Sequence, residues 1–227
     1  MPDFDNLPAV PMVPAPWQLK GQGYILAIRL PDALLDNESF LPDNLRPSRR
    51  GGTGYVMFVD YSQSDAGPYY ELLYIPGSLS FGKKRHLSIS KIYVSSWDSV
   101  VNGRENWGIP KEYCDFQVRY GANGVDEVRL VRDGQVIVEL AFKPRLFRLP
   151  FDGRLIPARL RTLAQQFKGR EFVYIPTAKG HVKPASLVHS RIDPRYFPDV
   201  SQGKVMACVK VIDFDMTFPV ATVRYLD

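Results

Sequence analysis

The chain has 227 residues, 23% of them charged and 45% hydrophobic, with 29 Lys and Arg against 24 Asp and Glu for a net charge of +5. This composition supports one sizeable core and excludes a disordered chain, and no apolar run reaches the ~18 residues that a membrane-spanning helix needs. The bases are scattered, apart from Arg46, Arg49 and Arg50 and the run Lys83, Lys84 and Arg85. No aromatic residues interleave with them, so neither nucleic acid nor a membrane is an expected partner.

Residues 1–20 carry five prolines and lack the basic stretch and apolar run of a secretory signal. They are expected to form an extended arm, with residues 21–227 as a single domain. Strand signals follow: "GYILAIRL" (23–30), "GYVMFVDY" (54–61) and "YYELLYIPG" (69–77) are short, aromatic and β-branched, and bounded by Gly or Pro. Between the first two, "RRGGTGYV" leads into a strand rather than a helix and so reads as a mobile loop, not a phosphate cradle. "HLSISKIYV" (86–94) alternates Leu87 and Ile89 with Ser88 and Ser90, the period of one half-buried strand. "SSWDSVVNG" (95–103) has a serine cap, an early Asp and a closing Gly, which predicts a two-turn helix.

Further along, Asp133-Gly134 between two alternating runs predicts a tight hairpin. "PARLRTLAQQF" (157–167) spaces Leu160, Leu163 and Phe167 in a way that suits a second helix, with Pro157 in its first turn. The C-terminal "KVMACVKVIDFDMTFPVATVRYL" reads as one long strand or two joined at Phe218-Pro219. The predicted fold is mainly β: a strongly curled, barrel-like antiparallel sheet with one or two short helices. Cys114 and Cys208 are isolated, which predicts reduced thiols in a cytoplasmic protein. His86, His181 and His189 never fall at ligand spacing, so no metal site is expected, and no other cofactor is implied.

The densest segment is "NGRENWGIPKEY" (102–113), where Lys111 follows a Trp-Gly-Ile-Pro corner. A lysine there is ordinarily a solvated surface charge. Held among Trp107, Ile109 and Pro110, it would be pushed toward its neutral, nucleophilic form, because burial strips hydration from the cation. Starting from a pKa near ~10.4, a drop of about three units costs roughly 4 kcal/mol.

"GRENWGIPKE" resembles the lysine segment of the acetoacetate decarboxylase superfamily, in which Gly-Arg-Glu, a spacer, Gly, an apolar residue and Pro precede a Schiff-base lysine. "YILAIRLP", "GPYYELLYIPG" and the stretch from Lys183 to Pro219 look like its other strands in the right order. The resemblance implies a homo-oligomeric enzyme of imine chemistry, with a keto acid or related carbonyl compound as substrate. It assigns Lys111 as nucleophile, Glu71 to position a reacting proton or hydroxyl group, and Arg29 to hold a substrate carboxylate. It places Arg104, Trp107, Tyr69 and Met57 around the substrate.

Two departures from the family pattern stand out. The second lysine that directly follows the reactive one in the decarboxylases is Glu112 here, and an earlier active-site glutamate falls near Val56 or Met57, both apolar. A carboxylate beside the amine would oppose activation, unless successive strand side chains point it elsewhere. Both departures favour aldol or dehydration chemistry, or a bulkier and less polar substrate. The competing expectations are a non-catalytic small-molecule binder on the same sheet and a structural or partner-binding module.

Overall fold

The structure, a computed structural model, describes residues 7–38, 40–49, 53–121 and 124–226. Arg50, Gly51 and Gly52, the centre of the predicted mobile loop, lie outside the described residues. The first half of the chain contributes β1 (Trp17–Arg29), α1 (Asp32–Glu38), β2 (Gly54–Gln63), β3 (Tyr69–Ile75), β4 (Ser78–Phe81), β5 (Lys84–Leu87) and β6 (Lys91–Val94). Then come α2 (Trp97–Trp107), β7 (Lys111–Tyr113), β8 (Asp115–Arg119), β9 (Asp126–Arg132), β10 (Gln135–Pro144) and β11 (Leu149–Asp152). The last are β12 (Leu163–Phe167), β13 (Arg170–Tyr174), β14 (Thr177–Ile192), β15 (Lys204–Phe218) and β16 (Thr222–Tyr225). None of the described helices is long and apolar enough to cross a membrane.

The large sheet runs β7-β6-β3-β2-β1-β15-β14-β10-β9-β8 and curls strongly into a half-barrel. Its curl follows from period-two alternation. Tyr24, Leu26, Val56, Phe58, Leu72 and Tyr74 meet Val128, Leu130, Leu140 and Phe142 in one core that the sheet wraps around. The neighbouring positions Tyr69, Leu73, Ile75, Ile92 and Val94 project from the other face. There Trp107, Ile109, Leu163, Phe172 and Tyr174 cover them, from the α2 corner and a smaller sheet of order β16-β13-β12-β5-β4.

Several predicted elements need correction. The stretch 86–94 is not one strand: β5 belongs to the small sheet and β6 to the large one, and the chain changes sheets at Ser88–Ser90. The helix predicted over 157–167 is a 3-10 turn, Ala158–Leu160, followed by β12. Its deciding signal is Lys168-Gly169, both at positive φ (49° and 68°), which form a two-residue hairpin and pair β12 with β13. Leu160, read as part of an apolar helix face, is exposed. Helix α2 runs four residues beyond the expected stop at Gly103, to a cap at Gly108 (φ 65°). Helix α1 carried no expectation. The Asp133-Gly134 hairpin forms as predicted, and the C-terminal run divides after Phe218. Both cysteines are free and buried.

The proline-rich segment binds α2. Asn102 accepts from Val13 N at 2.8 Å and donates to Pro11 O at 3.0 Å, while Asn106 donates to Val13 O at 2.8 Å. Trp17 then meets Trp107 edge to face, with ring centroids 4.9 Å apart.

Candidate active site

Lys111 opens β7 immediately after the Gly108-Ile109-Pro110 corner, in register with Ile92 of β6. Gly108 occupies the left-handed cap of α2, so the chain reverses there and β7 runs beside the helix it has just left. Arg104, one turn before the cap, sends Nε to the Lys111 carbonyl at 2.8 Å and its Nη2 to the same oxygen, fixing the start of the strand. Gly103 faces the lysine side chain. A Cβ there would lie 2.7 Å from Lys111 Cδ and 2.8 Å from Cε, so the glycine inside the helix makes room for the lysine.

The Lys111 side chain is 4% exposed. Its Nζ lies 2.9 Å from Glu71 Oε2, 2.9 Å from Ser99 Oγ and 3.4 Å from the Tyr69 hydroxyl. Tyr61 donates to the other oxygen of Glu71 at 3.2 Å. The alternation of β3 aims Tyr69 and Glu71 at the lysine, and α2 delivers Ser99 one turn before Gly103.

Burial pulls the Lys111 ammonium down, but the Glu71 charge and the Tyr69 hydroxyl outweigh it, and the net direction is up. The expectation of a neutral lysine is therefore corrected for the resting site, which holds a buried ion pair. Burial pushes the Tyr69 phenol up to about 12 despite the nearby Lys111 charge. It raises Tyr61 further, with Glu71 adding to the effect.

Glu112 is the next residue and points the other way. It pairs with Lys91 Nζ at 2.5 Å and with Arg132 Nη1 at 3.5 Å, so its charge is balanced on the far face of the strand. A cavity of about 320 Å³ on that side is lined by Trp97, Arg104, Glu112, Cys114 and Arg132 among others, and Lys111 is not part of it.

Cross-strand register locates the remaining expected residues. The row through Lys111 continues as Ile92, Leu73, Met57, Ile25 and Val209. The row through Glu71 holds Val94, Val59, Gly23 and Val211. Met57 therefore shares the lysine's row, whereas Val56 lies in the opposite core. Arg29 is not brought to the site. It is exposed, six residues along β1 from Gly23, which at ~3.3 Å per residue is about 20 Å away. Trp107 is a buried anchor between Trp17 and Phe218, its indole donating to Pro219 O at 2.7 Å. Arg104 touches the lysine's backbone rather than the amine's surroundings. Ser99 and Tyr61 were missed from sequence: the first offered only a position near a helix start, the second a strand tyrosine like many others.

The curled sheet thus holds a buried, carboxylate-paired lysine at a helix-strand corner. A model of the acetoacetate decarboxylase family matches residues 10–207, and the chain belongs to that family. Among solved structures it is similar to an acetoacetate decarboxylase from Legionella pneumophila, with TM-score 0.67 and 14% identity over 98% of this chain and 93% of that one. It is also similar to an acetoacetate decarboxylase-like enzyme from Sphingomonas wittichii RW1, with TM-score 0.69 and 14% identity over 99% and 98%. A third is the enduracididine biosynthesis enzyme MppR complexed with the condensation product of pyruvate and imidazole 4-carboxaldehyde, with TM-score 0.60 and 15% identity over 93% and 90%. At these identities the likeness is one of fold. Comparison with curated protein sequences gives no match.

Proposed function

We propose that the protein is a lyase that forms a Schiff base through Lys111 with a carbonyl substrate, a keto acid or a related compound. The observation that carries this reading is the buried amine held 2.9 Å from both a carboxylate and a hydroxyl, inside an otherwise apolar core. The ammonium first passes a proton to Glu71 and becomes nucleophilic. The free amine adds to the carbonyl carbon, the carbinolamine loses water with a proton supplied by Glu71 or Ser99, and an iminium cation results. That cation takes the place of the ammonium beside the Glu71 carboxylate. It then accepts the electron pair of a breaking C–C or C–H bond, giving an enamine; protonation at carbon restores an iminium, which water hydrolyses to release the product and return the lysine. Decarboxylation, aldol cleavage and dehydration all share this sink.

The test is borohydride reduction with a panel of carbonyl compounds, followed by peptide mass mapping. A stable adduct at Lys111, lost in Lys111→Ala, is the expected result. Its absence for every carbonyl tested would overturn the lyase reading. The charged resting state of Lys111 favours one second reading, a non-catalytic binder in which the ammonium serves as a fixed cation. Reversible ligand binding without any adduct would support that alternative.

A further inference from the structure

Resting on the Schiff-base reading, we infer that the substrate is a neutral, apolar aldehyde or ketone rather than a carboxylate-bearing one. The groups within hydrogen-bonding reach of Lys111 Nζ are one carboxylate, one phenol and one hydroxyl. An imine carbon sits one bond from Nζ. A carboxylate on that carbon, or one carbon beyond it, would come within about 4–5 Å of Glu71 Oε2, where two anions repel strongly in a screened-off interior. The iminium is already balanced by Glu71, and the described arginines and lysines nearest the corner are held elsewhere. Arg29 is about 20 Å along its strand. Arg104 is bound to the Lys111 carbonyl, Lys91 and Arg132 serve Glu112 on the opposite face, and Lys168 and Arg170 are tied to Glu105.

What the sheet does present beside the lysine is apolar. Leu73 and Met57 continue its row, and Val94 and Val59 flank Glu71. Such a surface suits alkyl or aryl substituents. With a neutral ketone bound, Glu71 accepts an α-proton from the iminium, and the C–H electron pair moves through the new C=C bond onto nitrogen. The enamine formed is reprotonated by solvent, or its carbon adds to the carbonyl of a second aldehyde and forms a C–C bond.

The test pairs probes that differ only by methyl against carboxylate: phenylacetone with phenylpyruvate, and 2-butanone with acetoacetate. Borohydride labelling rates at Lys111 are divided by those of N-acetyl-lysine amide to remove intrinsic reactivity. The neutral member of each pair is expected to label at least about 100-fold faster, and its α-hydrogens to exchange with D₂O in a Lys111-dependent way. Glu71→Gln should narrow that preference by about tenfold or more, whereas a merely structural role would lower both rates alike. Equal or faster labelling by the acids, or Lys111-dependent CO₂ release from acetoacetate, overturns the inference and leaves the Schiff-base reading standing. Labelling by neither member overturns both.

Discussion

Lys111 and Glu71 hold each other in charged form, and the lysine's chemistry depends on when that pairing breaks. Removing the Glu71 charge leaves burial as the dominant influence, so Glu71→Gln should carry the Lys111 pKa below its usual 10.5. Amine-reagent labelling at Lys111, followed against pH, should shift to lower pH in the variant; an unchanged profile would refute the electrostatic account. Breaking a buried pair from one side typically costs roughly 3–5 kcal/mol, so a lower melting temperature should accompany it. Much of this residue-scale picture was legible beforehand. Lys111 followed from its corner and from the family resemblance, and Glu71 and Tyr69 from the resemblance alone. The sign of the lysine's shift was not legible, because it turns on a 2.9 Å contact between residues 40 positions apart in sequence.

At the scale of elements, α2 does three jobs along two adjoining stripes, Ser99, Gly103 and Trp107 on one and Asn102 and Asn106 on the other. Ser99 and Gly103 meet the lysine, Asn102 and Asn106 hold the N-terminal segment, and Trp107 plugs the adjoining core. Gly103 read from sequence as a helix stop, yet it is a mid-helix glycine kept free of a side chain. Gly103→Ala should gain up to about 1 kcal/mol of intrinsic helix stability while displacing the Lys111 side chain. The expected outcome is borohydride labelling slowed by ~10–100-fold with little change in melting temperature. Labelling at the wild-type rate would show that the lysine chain simply bends aside. The strand order was legible only as far as local pattern reaches. The hairpin at Lys168-Gly169 hid because a lysine at positive φ is an uncommon turn residue, and the sheet change at Ser88–Ser90 because alternation continues through it.

For the whole molecule, the buried phenols and the lysine link folding to alkaline pH. Tyr69 titrates near 12 against an ordinary 10.0, and Lys111 and Tyr61 are also raised, so the folded chain keeps protons that the unfolded chain releases first. Their contribution is complete below about pH 10 and is lost as pH rises through the higher folded values. Denaturant unfolding should therefore show a stability unaffected by these groups between pH 8 and 10, falling steadily toward pH 12, with a shallower fall in Tyr69→Phe. A fall of equal slope in that variant would show that Tyr69 takes no part.

Two of the three residues of β7, Lys111 and Glu112, carry opposite charges on opposite faces, each answered by a partner of the other sign. Were the strand to dock one residue out of step, Lys111 would land among Lys91 and Arg132, and in one direction Glu112 would confront Glu71. Both errors set like charges together in a dry interior. So short a strand has few hydrogen bonds with which to define its own alignment. Its alternating charges act as a lock with one key position, which makes correct assembly of the sheet edge and placement of the reactive amine a single event.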